Sequence, residues 1–143
     1  MNLSEKNKQF MLNYFREMYR SRDEGSKAFQ EAMNRLIKDE KLINHILFFT
    51  RSFPSYRLVI DYLVAEGDQV FVKANFVGRH EGDAEDIPAT NQQVNVPFAL
   101  GYKIFNEQIV DFWAIANEME FFEQLGLSRE QVDVRKEKVV LDE

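Results

Sequence analysis

Few side chains in this sequence are equipped to move a proton near neutral pH. His45 and His80 are the only histidines, and there is no cysteine. That composition excludes disulfides, thiol nucleophiles, cysteine–zinc centres and multi-histidine metal sites. His80 ends a long alternating segment, and an imidazole with an ordinary pKa of about 6.5 can carry a proton both ways. It either contacts a ligand or holds the following loop, 81–92, in place. His45 lies beside an apolar helical stripe and reads as a partly exposed structural histidine. Asp111, Trp113 and Asn117 share parity on the last alternating segment. Trp113 is expected in the core or as a pocket wall that offers its indole N–H. Asp111 would be a base if an apolar cavity raised its pKa, or the ion-pair partner of Lys103 or Arg51. Tyr14 and Tyr19 on the first helix, and Tyr102 on a strand, offer hydroxyls to orient a carbonyl, or serve simply as core.

These groups depend on elements that the spacing predicts. Residues 4–20 form an amphipathic helix on the stripe Phe10, Tyr14 and Met18, and residues 20–25 break it. Ser26 is placed to cap a second helix carrying Phe29, Met33, Leu36 and Ile37. Asp39 is placed to cap a third, with Leu42, Ile46 and Phe49 inward, which stops before Pro54. From Tyr56 the period becomes two. Residues 56–65 read as a strand with Leu58, Ile60, Tyr62 and Val64 on one face, followed by a turn at Glu66–Asp68. Strands 69–80, 93–105 and 108–116 follow, the last two joined by a tight turn at Asn106–Glu107. A short helix begins at Asn117 and ends at Gly126. Residues 128–143 form a charged tail that either frays or docks on a neighbour.

Helices followed by antiparallel hairpins give an α+β fold in a single domain over 1–127. The 143 residues include 45 % hydrophobic and 29 % charged, a balance that excludes disorder. Thirteen phenylalanines against one tryptophan can fill a core or line an apolar cavity. The net charge of −6 argues against nucleic acid. No run reaches membrane-spanning length and residues 1–8 are polar, so a soluble cytoplasmic protein is expected. The acidic run 81–86 lacks the spacing of a calcium loop and reads as a solvated surface. Several strands carry apolar residues on both faces. One face must meet the helices and the other a second subunit or more core, which makes a homodimer the expectation.

Four ordered segments resemble the SnoaL-like polyketide cyclase family, within the broader nuclear transport factor 2-like fold. They are Ser52-Phe53-Pro54-Ser55-Tyr56; Ala65-Glu66-Gly67-Asp68-Gln69-Val70; Gly78-Arg79-His80-Glu81-Gly82 with Ile87-Pro88-Ala89-Thr90; and Ile109-Val110-Asp111-Phe112-Trp113 with Gln124-Leu125-Gly126. The resemblance as a whole runs from about residue 39 to 127, with the four segments in the family's order. The resemblance implies a cone-shaped, curved antiparallel or mixed sheet packed on N-terminal helices around an apolar pocket, usually in a dimer. It also implies a small apolar ligand, with Phe53, Tyr14, Tyr102, Trp113 and Asp111 as its candidate contacts. Some relatives close polyketide ester rings by an intramolecular aldol reaction without metal or cofactor.

Those cyclising relatives carry an acid/base Asp four residues after the tryptophan, where this chain has Asn117. An amide cannot take and return a proton near neutrality; it only donates or accepts hydrogen bonds. Asn117 therefore reads either as a hydrogen-bond donor to an enolate oxygen, with His80 as proton shuttle, or as a helix cap paired with Glu120. Three functions follow: a cofactor-free cyclase or isomerase, a non-catalytic binding module for a small apolar molecule, and a dimeric interaction domain whose pocket is filled by its own phenylalanines.

Overall fold

The computed structural model describes residues 1–84 and 87–127. The tail at 128–143, and Glu85 and Asp86 of the acidic loop, lie outside the described residues. Helix α1 spans Leu3–Glu24, α2 Ser26–Leu36 and α3 Glu40–Ser52. Strands β1 (Arg57–Glu66), β2 (Gln69–Arg79), β3 (Gln93–Phe105) and β4 (Gln108–Ala116) follow, and α4 (Glu118–Gln124) ends the fold. The strands form one curved antiparallel sheet in the order β1-β2-β3-β4. Ile37 adds a parallel bridge to Ile109 at its edge, with the Lys38 N–H donating to the Ile109 carbonyl at 2.8 Å.

Helix α1 runs a full turn beyond the expected break. Arg20 pairs with Glu17 and Glu24 across that turn, which keeps a polar stretch helical. The chain turns instead at Gly25, whose φ of 136° suits glycine. Ser26 is consequently the first residue of α2 and makes no side-chain cap. Asp39 does cap α3, accepting from the Lys41 N–H at 3.0 Å. The start of α1 clamps the β1–β2 hairpin: Asn7 Nδ2 donates to the Gly67 carbonyl and the Gly67 N–H donates to Ser4 Oγ, both at 2.8 Å. Asn106 and Glu107 both take positive φ, 51° and 58°, as a tight two-residue hairpin turn requires.

Two irregularities break the strict alternation. The β1–β2 register shifts between Ile60 and Tyr62, so Asp61 is an extra residue. The inward set on β1 is therefore Leu58, Ile60, Leu63 and Ala65, while Tyr62 and Val64 turn outward. A second shift lies opposite Lys103 and Ile104, where Val110 is the extra residue between the paired Ile109 and Asp111. Such bulges bend a sheet and raise its local twist. The core lies on the concave side, where α1 packs on β1 and β2, α2 on α1 and β4, and α3 on β4, with Phe49 of α3 reaching Phe76 and Phe98.

Candidate functional site

A pocket opens between the helices and the concave face, with a cavity volume of about 40 Å³ inside a wider cleft that is open to solvent. Helix α1 supplies Tyr14, Phe15, Met18, Tyr19 and Arg22 to its wall. Helix α3 supplies Leu42, His45 and Ile46. The sheet side is formed by Tyr56, Leu58, Phe76, Leu100, Tyr102 and Phe112. These positions fall at helical spacing on α1 and α3 and at alternate positions on β3, so two periodicities converge on one space.

The polar groups of the wall differ in how far they are committed. Tyr19 Oη accepts from the Leu58 N–H at 2.7 Å, joining α1 to β1. Tyr14 and Tyr102 lie with ring centroids 6.1 Å apart. Neither hydroxyl has a hydrogen-bond partner among the described residues. Burial, then the neighbouring tyrosines, push both phenols well above their ordinary pKa, so both remain O–H donors. His45 packs against Phe49 at 4.7 Å and Phe112 at 5.1 Å. Desolvation lowers its pKa to about 4, which leaves the imidazole neutral at physiological pH. Arg22 lies between Tyr19 and Tyr56, its guanidinium carbon 5.3 and 5.5 Å from their ring centroids. Its Nη1 donates to the Tyr56 carbonyl at 2.6 Å.

The family model for SnoaL-like polyketide cyclases matches residues 13–125, nearly the whole described fold. The chain belongs to the SnoaL-like polyketide cyclase family. No curated protein matches it. Solved structures of the same fold include a candidate SnoaL-like polyketide cyclase from Jannaschia sp. CCS1, with a TM-score of 0.73, 16 % identity, and coverage of 90 % of this chain and 96 % of that one. A candidate polyketide cyclase from Acidithiobacillus ferrooxidans has a TM-score of 0.68, 20 % identity, and 87 % and 97 % coverage. AclR, a candidate hydroxylase from Streptomyces galilaeus, has a TM-score of 0.66, 16 % identity, and 86 % and 97 % coverage. Proteins described with different activities thus share the scaffold, and activity must be argued from the site.

In this SnoaL-like domain the three tyrosines singled out from sequence, Tyr14, Tyr19 and Tyr102, line the pocket, whereas Phe53, His80, Asn117, Trp113 and Asp111 do not. Phe53 is fully buried behind the wall, edge-on to Phe76 at 5.2 Å. His80 lies beyond Phe53, with ring centroids 5.1 Å apart. Its Nδ1 accepts from the Thr90 N–H at 3.1 Å and lies 3.0 Å from Thr90 Oγ1. An accepting Nδ1 assigns the ring proton to Nε2, which is buried and has no partner among the described residues. Desolvation lowers the His80 pKa and nearby Asp83 opposes that shift. The histidine and its backbone, bonded to Asn91 and Gln92, fix the loop after β2.

The other three stand away from the pocket. Asn117 is exposed and caps α4, its Oδ1 accepting from the Glu120 N–H at 3.0 Å. The Glu120 carboxylate does not return the bond; it accepts from Gln124 Nε2 instead. Trp113 and Asp111 point outward from the convex face because the extra residue Val110 reverses the parity of β4 after Ile109. Trp113 lies over Gly101, so close that a Cβ there would come within 2.1 Å of the indole. Asp111 pairs with Lys41 at 2.9 Å rather than with Lys103 or Arg51, and this contact lowers its pKa.

Arg22, Tyr56 and His45 are pocket residues that sequence reasoning did not select. The signal for Arg22 was present: it continues the Tyr14–Met18 stripe by one more turn, but the polar run at 20–25 read as the helix end. His45 shares the Leu42–Phe49 stripe. Among the described residues no group of three or more His, Asp or Glu side chains is arranged to hold a metal, and no helix is long and apolar enough to cross a membrane.

Proposed function

We propose that this SnoaL-like domain binds a small, mainly apolar, carbonyl-bearing molecule in the space between α1, α3 and the concave sheet, without carboxylate acid/base chemistry. One observation carries the reading. The wall is aromatic and aliphatic, offers two unengaged tyrosine hydroxyls as donors, and includes no carboxylate. The alternative is a cofactor-free cyclase or isomerase in which His80 shuttles the proton and Asn117 steadies an enolate oxygen. It has less support, because Asn117 faces its own helix and His80 sits behind Phe53. General acid–base catalysis is worth roughly two to four orders of magnitude in rate, and the wall holds no carboxylate for it, its one imidazole being His45, packed between Phe49 and Phe112.

Thermal-shift titration with aromatic ketones and esters tests the binding reading. A ligand at about one hundred times its Kd adds about 2.7 kcal/mol to stability, several degrees in Tm. The absence of saturable stabilisation across the panel would refute it. Turnover of aromatic polyketide esters by the wild type, or its appearance in Asn117→Asp, would favour the cyclase.

The convex face supports a homodimer. Val59, Tyr62, Val64, Phe71, Trp113 and Ile115 each expose 41 % or more of their surface on that side. A second copy of the chain would cover them. Ile115→Asp should then yield a monomer by light scattering, and a wild type that is already monomeric at working concentration would exclude the dimer.

A further inference from the structure

The pocket has one formally charged side chain on its wall, and it is a cation. Arg22 is only 11 % exposed at its side chain. A guanidinium carries five N–H donors, and a buried charge is costly unless it is paired. Here one donor is engaged, by the Tyr56 carbonyl. The one carboxylate within ion-pair distance among the described residues is Asp23, at 3.9 Å from Nε and 66 % exposed, too long and too solvated to neutralise it. The flanking Tyr19 and Tyr56 rings stabilise the charge without cancelling it. His45 adds no charge at physiological pH. The wall therefore presents an uncompensated positive centre at one end of an apolar space.

Tyr14 and Arg22 are eight residues apart on α1, about 12 Å along the axis. The cationic end and the neutral donor end are therefore separate, with Phe15, Met18 and the sheet residues between them. We propose that the ligand of this pocket is a small apolar carboxylic acid, bound as its carboxylate by the Arg22 fork, with its hydrocarbon or aryl body along the wall toward Tyr14 and Tyr102. The planar guanidinium matches a carboxylate in two-point geometry, which a neutral ester or amide cannot reproduce. The proposal rests on the reading that this space binds a small molecule, and it adds the charge that such a molecule carries.

The test compares 2-naphthoate with 2-naphthamide, which have nearly the same shape and differ in charge, by isothermal titration calorimetry on the wild-type protein near pH 7.5. The acid should bind at least about tenfold tighter than the amide, the scale of one charge-assisted hydrogen bond. Arg22→Gln should remove that preference by weakening the acid while leaving the amide within about twofold. Arg22→Lys, which keeps the charge, should retain part of the preference. Equal affinity for acid and amide in the wild type would overturn the proposal and leave the apolar binding reading intact. An Arg22→Gln variant that stays folded and keeps the full preference would overturn it as well. Failure of both compounds to bind would overturn the binding reading and this proposal with it. Arg22 also holds the Tyr56 carbonyl, so circular dichroism must establish that each variant is folded; the wild-type comparison stands without any variant.

Discussion

Lowering the pH should destabilise the fold through His45, by an amount that the site sets. The ring packs between Phe49 and Phe112, and desolvation holds its native pKa at about 4 against an ordinary value of 6.5. The sign follows from proton binding. Between those two values the unfolded chain binds a proton that the native state refuses, so acid favours unfolding. The contribution is fully present above about pH 6.5 and is lost progressively as the pH falls toward 4. At about pH 5 the unfolded imidazole is almost fully protonated and the native one about one-tenth protonated, which corresponds to about 2 kcal/mol. Because the ring is half-buried and still reached by solvent, about 1–2 kcal/mol is the expected loss between pH 7.5 and 5. His80, whose pKa is also lowered, adds to the acid sensitivity in the same direction. His45→Phe isolates the first term, since a phenyl ring keeps the contacts and cannot titrate. Urea unfolding followed by circular dichroism at about pH 5, 6 and 7.5 should show the variant losing about 1–2 kcal/mol less than the wild type over that range. Parallel pH profiles for the two proteins would refute the argument that His45 is desolvated by the pocket wall.

Asn117→Ala should cost about 1 kcal/mol in urea unfolding, because it removes the acceptor for the Glu120 N–H, whereas Asn117→Asp should be neutral or slightly stabilising as an equivalent cap beside the helix N-terminus. Phe76→Ala should cost about 3–5 kcal/mol by chemical denaturation, since Phe76 is almost fully buried and stacks on Tyr56 and Phe98 at 4.9 and 5.3 Å. Gly101→Ala should displace the indole of Trp113, the only tryptophan, and shift its fluorescence emission to longer wavelength; an unchanged spectrum would mean that the ring does not rest on Gly101.

Where a single local rule governs an element, the sequence was legible. Asp39 and Asn117 cap the helices they were expected to cap. Gly126 takes φ 88°, and Leu127 and Gly126 donate back to Phe122 and Glu123, which closes α4 as a glycine terminus should. The concave faces of β2 and β3 follow strict alternation from Val70 to His80 and from Val94 to Ile104. Alternation failed at two points, and both are bulges without a glycine or proline to announce them. Asp61 moved Tyr62 and Val64 outward, and Val110 moved Asp111 and Trp113. A bulge is chosen by sheet curvature, a property of four strands together, so one strand's sequence does not carry it.

The β4 bulge and the cap of α4 also decide where the carboxylate of β4 and the amide at position 117 point. Val110 sends the only carboxylate of β4 to the convex face, where Lys41 takes it. The cap turns the Asn117 side chain, which the sequence resemblance aligns with the acid/base Asp of cyclising relatives, toward the first turn of α4, and that helix is pinned by Gln124, which exchanges two hydrogen bonds with the Asn95 backbone at 2.7 and 3.0 Å. Phe121 of α4 in turn packs on Phe53 and Phe76 at 5.5 and 5.9 Å, behind the pocket wall. Freeing Asn117 to reach a ligand would therefore mean giving up the cap and disturbing the aromatic layer that gives the pocket its floor. A carboxylate restored at that position would take up the same cap, so proton transfer inside the pocket would have to fall to the neutral imidazole of His45, the wall group able to accept a proton near neutrality.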